Sequence, residues 1–336
     1  MIAVVTGGSG FIGQNLVRRL RRDGHEVRCL MRASGSAMPP DTQRFVVQFD
    51  DPRSLLECSA LDRADVVFHL VGATKAARPD AFTAANVAPT RHLLGAIAAR
   101  RLYPRFVFVS SQAAAGPAPA RHRAIDEDDI PRPIEAYGRS KLEAERIVES
   151  FADHVASTIV RPCSVFGPWD RDFLTLYRFA ERGIVVYPGV ASHWLSILYV
   201  DDLIDGLLAA ATKPEAIARK YFLASDSPVQ WRALGEAIAA AAGRRAWHLD
   251  LPGPLVSAAA FAGEWVGRLT RTAPIANRSK AALARPHYWV CSASRARQEL
   301  AFSPSRSLPD AVRETYYWYR QHGWLGGSRR VNSAVA

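Results

Sequence analysis

An apolar run, Ile2–Thr6, meets a helical pattern starting at Phe11 through Thr6-Gly7-Gly8-Ser9-Gly10-Phe11-Ile12-Gly13, and no other stretch constrains the fold as much. Glycines at this spacing between a strand and a helix have separate uses. Gly7 permits the tight turn, Gly10 lets backbone N–H groups approach a pyrophosphate, and Gly13 lets the helix pack on the strand. The helix then presents its free N–H groups and the positive end of its dipole to the phosphates. A dinucleotide is expected here, with Phe11 and Ile12 in the helical turn beside it.

The rest of the first half alternates strand and helix. Strand-like runs recur at Glu26–Met31, Phe45–Phe49, Asp65–Val71, Arg105–Ser110 and Ala156–Val160. Helical periodicity covers Phe11–Asp23, Pro79–Arg101 and Ala136–Asp153, and the proline-rich stretch Gln112–Glu135 reads as loop. This order predicts an α/β fold, a Rossmann doubly wound parallel sheet with helices on both faces. Beyond Phe166 the pattern loosens. Asp170–Arg182, Asp201–Ala211, Gln230–Ala242 and Pro309–His322 read as helices and Lys220–Leu223 as a strand. The expected organisation is a dinucleotide domain over 1–165, to which 199–225 returns. A smaller, mixed substrate lobe covers 166–198 and 226–326, and a flexible tail 327–336. The apolar segment Leu251–Leu269 is broken by Gly253, Pro254 and Gly263 and reads as a helix of that lobe rather than a membrane-surface helix.

Charge and cysteine content exclude several classes. The net charge is +11, but only five of the 43 basic residues are lysine, and the arginines are spread along the chain. The densest group, Arg18, Arg19, Arg21 and Arg22, falls in the last turns of the first helix, where cations complement the dipole. No nucleic-acid partner is expected. Cys29, Cys58, Cys163 and Cys291 are scattered without metal spacing, so free thiols in a reducing cytoplasm are expected and no metal. No long uncharged apolar stretch spans a membrane, and a strand is expected at once from Ile2, with no secretory leader.

Tyr137-Gly138-Arg139-Ser140-Lys141 opens a helix, so Tyr137 and Lys141 lie one turn apart on one face. A nearby ammonium favours a phenolate, making Tyr137 usable as a general acid/base. Ser110-Ser111 ends a strand at the sheet edge where open α/β folds bind ligands, so Ser111 can orient a substrate oxygen. After the second strand stands Arg32, with no Asp or Glu between Val27 and Pro40. An acid there would bind a ribose hydroxyl and an arginine accommodates a 2′-phosphate, so NADP(H) is favoured, with NAD(H) possible.

Together with Asp65-Val66-Val67-Phe68-His69-Leu70, Asn86, Arg161-Pro162, Val165-Phe166-Gly167-Pro168 and Tyr199-Val200-Asp201-Asp202, these motifs resemble the extended short-chain dehydrogenases/reductases over about residues 1–326. The resemblance implies Tyr137 as acid/base, Lys141 as the group that tunes it and holds the nicotinamide ribose, and Ser111 as the residue polarising the substrate oxygen. It also implies cofactor contacts from Leu70, Val71, Gly72, Ser110, Pro162 and Ser164, with Asp50 or Asp51 near the adenine. Substrate contacts would come from Ala73, Gln112, Val165 and Trp194. Asn86 would be structural or part of a proton relay, and His69 structural or functional.

Members of that family that act on nucleotide sugars carry an Asn where this chain has Ser164 and a diphosphate-clamping Arg where it has Leu195. A diphosphate needs charge-assisted donors, whereas this lobe offers Trp169, Trp194, Leu195 and Ile197. The resemblance is therefore nearest to the 3β-hydroxysteroid dehydrogenase and dihydroflavonol-reductase-like branch, and implies hydride transfer on a relatively apolar carbonyl or secondary alcohol. Sugar-nucleotide epimerisation or dehydration remains the alternative, with Arg171 or Arg278 serving a phosphate, and a non-catalytic cofactor-binding protein is a second. The helices over Pro79–Arg101 and Ala136–Asp153 match those that pair subunits in many relatives, so a homodimer is possible.

Overall fold

The structure is a computed structural model that describes residues 1–32, 38–39, 42–76, 78–188, 191–251 and 286–326. The chain order begins β1 (Ile2–Thr6), α1 (Phe11–Arg22), β2 (Glu26–Met31), β3 (Gln43–Val46), α2 (Pro52–Leu56), β4 (Val66–His69), α3 (Pro79–Asn86), α4 (Ala88–Ala99), β5 (Arg105–Val109) and α5 (Gln112–Ala115). It continues α6 (Ala136–Ser150), β6 (Ser157–Pro162), β7 (Ser164–Phe166), α7 (Leu174–Glu181), β8 (Ile184–Pro188), β9 (Trp194–Leu195), β10 (Ile197–Tyr199) and α8 (Val200–Thr212). Then come β11 (Arg219–Leu223), β12 (Val229–Gln230), α9 (Trp231–Ala241), β13 (Trp247–Leu251), β14 (Tyr288–Trp289) and two helices, Ser294–Leu300 and Leu308–Gln321.

Seven parallel strands form the main sheet in the order β11-β6-β5-β4-β1-β2-β3. The order reverses between β1 and β4, which makes their carboxyl ends the switch point where ligands of doubly wound sheets bind. The fold is the Rossmann arrangement. Its central strands are mostly apolar because both faces are covered, with buried polar residues such as Thr6 and His69 at their carboxyl ends. Ala3, Val5, Val66, Phe68, Val107 and Val109 pack with Leu16, Val17 and Leu20 of α1 and Leu203 and Leu207 of α8. Their alternates Val4, Val67, Phe106 and Phe108 pack with Leu93, Leu94 and Ile97 of α4 and Ile147 and Val148 of α6. Period-two alternation thus feeds two cores from one set of strands.

Segment 199–225 supplies α8 and β11, and β11 pairs with β6 at the sheet edge. The remaining elements build short sheets, β10-β7, β12-β9-β14 and β13-β8. A third core joins α7, α9 and the last helix through Leu174, Tyr177, Leu234, Ile238, Val312 and Tyr319.

Three local expectations need correction. The long helix expected over Pro79–Arg101 is two helices, because Pro89 lacks an N–H and its ring crowds the preceding turn, breaking the ladder at Val87. The third strand lies at Gln43–Val46 rather than Phe45–Phe49: the chain must turn before Pro52, where Asp51 caps α2 by accepting from Arg53 N at 3.0 Å. The stretch Gln112–Glu135 is not all loop, since Ser111 caps the short α5 by accepting from Ala113 N at 3.1 Å. The Leu251–Leu269 segment past Leu251, Arg278 and the tail 327–336 lie outside the described residues.

Candidate active site

The turn after β1 opens a cavity of about 610 Å³ at the switch point. Gly7, Ser9, Gly10, Phe11, Ile12, Gly13 and Gln14 form one side, Leu70, Gly72, Thr74 and Lys75 another, and Val109, Ser110, Tyr137 and Lys141 the end of the cleft. Trp169, Asp170, Arg171, Asp172 and Trp324 form the facing wall.

The loop's shape depends on its glycines. Gly7 has φ +71°, where side chains are strained, and a Cβ there would lie 2.9 Å from the Leu70 carbonyl carbon. A Cβ on Gly13 would lie 2.2 Å from the Gly7 carbonyl oxygen, so only glycine allows α1 this close to the turn. Gly10 caps α1 without any side-chain hydrogen bond, and no acidic residue occupies the first turn. The orphan N–H groups of that turn are left for an anion.

Buried hydrogen bonds brace the floor. Thr6 Oγ1 accepts from Leu70 N and Val71 N, both at 3.1 Å, and lies 2.9 Å from His69 Nδ1. His69 Nε2 lies 3.0 Å from Thr90 Oγ1, whose hydroxyl donates to Asn86 O at 2.8 Å. These roles require a neutral imidazole with its proton on Nε2. Burial, helped by the Lys141 charge, pushes His69 down to about 3, which keeps it neutral. His69 is fully buried and joins β1 to α4 through these hydrogen bonds. Asn86 is a clamp: its side chain accepts from Ala73 N at 2.7 Å and donates to Ala73 O at 3.2 Å and Ser140 Oγ at 2.8 Å.

Helix α6 carries Tyr137, Lys141 and Glu145 on one face at four-residue spacing. Glu135 caps it, accepting from Tyr137 N at 2.6 Å and Gly138 N at 2.5 Å. A Cβ on Gly138 would lie 2.2 Å from Ala113 O, so this glycine lets α5, and with it Ser111, press against the start of α6. Phe82 supports the Tyr137 ring at 6.1 Å between centroids. Burial pushes the Tyr137 phenol up to about 12, and the Ser111 hydroxyl beside it offsets part of the rise. Lys141 Nζ donates to Val109 O at 2.7 Å and sits 4.3 Å from the Phe108 ring centroid. Burial lowers its pKa to about 8, with Glu145 opposing.

Ser110 lines the cavity, but its hydroxyl faces inward and donates to Glu145 Oε1 at 2.5 Å. Glu145 in turn takes Arg161 bidentately, Nε at 2.9 Å and Nη2 at 2.6 Å, with both side chains buried. Sequence reading singled out Arg161 without its partner. The signal available was Glu145 one turn beyond Lys141 on the same face.

The other candidate residues lie apart from the cavity lining. Arg32 and Asp50 are exposed, just past β2 and β3. Val71 and Ala73 sit in the loop after β4, and Pro162, Ser164 and Val165 lie in β6 and β7. Gln112 is buried, and its Nε2 has no protein partner. Trp194 lies in β9 under the Arg121 guanidinium, 3.6 Å from the ring centroid. Sequence reasoning missed the cavity roles of Ser9, Gln14, Thr74, Lys75, Asp170, Asp172 and Trp324. Lys75 and Asp172 form an ion pair across the cleft. Asn15 Nδ2 donates to Pro168 O at 2.9 Å, tying α1 to the facing wall. Asp170 accepts from Asp172 N and Phe173 N, and its burial raises its pKa to about 6. No group of three metal-binding side chains occurs among the described residues.

The chain is 29% identical to the ceramide reductase of Caulobacter vibrioides over 96% of each chain. It is 32% identical to a 3 beta-hydroxysteroid dehydrogenase/Delta 5-->4-isomerase of Mycobacterium tuberculosis over 75% of this chain and 72% of that protein. The fold superposes on the UDP-glucose 4-epimerase of Thermotoga maritima with a TM-score of 0.80 at 20% identity, covering 96% of this chain and 99% of the epimerase. Residues 3–224 match the NAD dependent epimerase/dehydratase family, and the chain belongs to that family.

Proposed function

We propose that this enzyme is a dehydrogenase/reductase acting on the carbonyl or secondary alcohol of an apolar small molecule, with Tyr137 as its acid/base. One observation carries the reading. Half-buried Tyr137 and buried Lys141 stand at the end of the cleft beside the glycine turn, with Ser111 against the phenol. The cleft suits a nicotinamide dinucleotide: Gly7 and Gly13 hold the turn in a shape that a Cβ would break against the neighbouring backbone, and the uncapped first turn of α1 fits a pyrophosphate. When bound, the nicotinamide would exchange a hydride with the substrate carbon.

The chain's own groups do the rest. Ser111 orients the substrate oxygen, and Tyr137 gives it a proton in reduction or takes one in oxidation. Lys141 holds the ribose side of the cleft. The wall from Trp169 to Asp172 keeps water from the reacting atoms. An apolar substrate is supported by Ser164 and Leu195 at the positions where a diphosphate would be held, and by the names of the reductase and dehydrogenase relatives. The same reading expects a cytoplasmic homodimer through the outer faces of α4 and α6. No described helix is long and apolar enough to cross a membrane.

NADP(H) is the expected cofactor because exposed Arg32 follows β2 and no carboxylate is near it in sequence. A panel of long-chain and steroidal ketones, with UDP-glucose as the contrasting substrate, tests both parts. Reduced dinucleotide should be consumed with a ketone, and NADPH should be preferred. Arg32→Asp should reverse that preference by about tenfold or more, since it replaces a phosphate-pairing charge with a repelling one. Turnover of UDP-glucose alone would refute the reductase reading, and a tenfold NADH preference in the wild type would refute the role of Arg32.

A further inference from the structure

Far from the cleft, β8 and β13 pair in parallel with Ile184 opposite Trp247 and Val186 opposite Leu249. Residues paired this way share a face. The inner face holds Val185 and Tyr187, with His248 stacked on Tyr187 and bonded to its hydroxyl at 2.6 Å. Asp250 shares that face by strand alternation and accepts from Ala191 N at 3.0 Å, and both His248 and Asp250 remain exposed. The outer face is therefore wholly apolar over these pairs: Trp247 is 84% exposed, Leu249 51% and Ile184 38%. A tryptophan exposed to this degree beside Leu249 and Ile184 is a candidate contact surface.

Cations border this strip. Arg182 precedes β8 and Arg244 and Arg245 precede β13, and all three are exposed. Trp247 N donates to Gly183 O at 2.8 Å, so both strand starts, and all three arginines, lie at one end. Glu181, the acid beside Arg182, is already held by Arg320 at 3.0 Å. We propose that this face docks the protein on an anionic lipid bilayer. Trp247, Leu249 and Ile184 would enter the headgroup–acyl boundary while the arginines meet anionic headgroups.

A second copy of the chain fits the face less well. Two five-residue strands, at ~3.3 Å per residue and ~4.8 Å apart, present roughly 160 Å², well under the ~800 Å² per partner of a stable interface. A charge-rimmed shallow face of this size matches a continuous anionic surface better. The surface is independent of the chemistry assigned to Tyr137, so a catalytically dead variant would dock equally well.

Vesicle sedimentation of the full chain tests the proposal. Wild-type protein should pellet with phosphatidylglycerol-containing vesicles, weakly with pure phosphatidylcholine, and less as salt rises. Arg182→Ala/Arg244→Ala/Arg245→Ala should weaken binding about a hundredfold, at about fivefold per cation. Trp247→Ser/Leu249→Ser should weaken it about tenfold or more while dinucleotide binding, the control for folding, is unchanged. Should either variant fold poorly, brominated lipids should still quench wild-type tryptophan fluorescence. No pelleting, no quenching, or variants that bind like wild type would overturn the proposal. So would light scattering that shows the variants splitting a dimer.

Discussion

Tyr137→Phe is expected to cut turnover by about 10²–10⁴-fold while the fold and dinucleotide affinity stay close to wild type. The substitution removes one hydroxyl and keeps the ring against Phe82. Burial holds the phenol near 12, so at neutral pH it stands protonated, ready to donate in the reductive direction. The oxidative direction needs the phenolate, so its rate should rise with pH across the alkaline range. Ser111→Ala should lower turnover with little change in dinucleotide affinity. Lys141→Ala should lower both, because it removes a buried cation from the cleft wall. Steady-state kinetics and calorimetric dinucleotide binding separate these outcomes. A Tyr137→Phe enzyme within about threefold of wild type would leave the acid/base role without support.

Glu145→Ala is expected to be the most destabilising single change near the site. It strands the buried Arg161 guanidinium, which the carboxylate holds at two points, and removes the acceptor of the Ser110 hydroxyl. Breaking a buried pair from one side costs about 3–5 kcal/mol, a fall in Tm on the order of 10 °C. Arg161→Ala should cost less, since Lys220 Nζ lies 3.9 Å from Glu145 and still faces the orphaned carboxylate. Glu145→Leu/Arg161→Met, which removes both charges, should be more stable than Glu145→Ala. Thermal unfolding ranks the variants, and equal melting of wild type and Glu145→Ala would mean that the pair contributes nothing.

The dinucleotide half was legible because its signals are local. Each central strand is a short apolar run, each helix has one apolar stripe, and the Gly7–Gly13 turn lies between them. The split at Val87 was equally local, written in Pro89, and was passed over for the stronger periodicity around it. The lobe was hardly legible. β9 and β14 are two-residue strands whose pairing joins Trp194 to Tyr288 across a long separation, and no periodicity builds over two residues. In the site, Tyr137 and Lys141 stood out through placement rather than spacing alone, since they open a helix in a chain that begins with the Gly7–Gly13 turn and carries Ser111 at a strand end. Lys75, Asp172 and Trp324 did not, since only the folded chain brings them to one cleft. The direction of the Ser110 hydroxyl was also beyond reach, because it depends on a carboxylate on another element.

The Asn86 clamp bears on how a ligand enters and leaves. One amide grips the Ala73 backbone and the Ser140 hydroxyl together, so the loop after β4 and the helix bearing Tyr137 are fastened to each other from behind. The opposite side, where the Trp169–Asp172 segment faces the cleft, is held by the Asn15–Pro168 hydrogen bond and by the exposed Lys75–Asp172 pair that bridges the gap. The residence time of a bound dinucleotide would then follow the parting of that pair and shorten as salt screens it, whereas the spacing between Gly72 and Tyr137 would persist through every cycle of exchange.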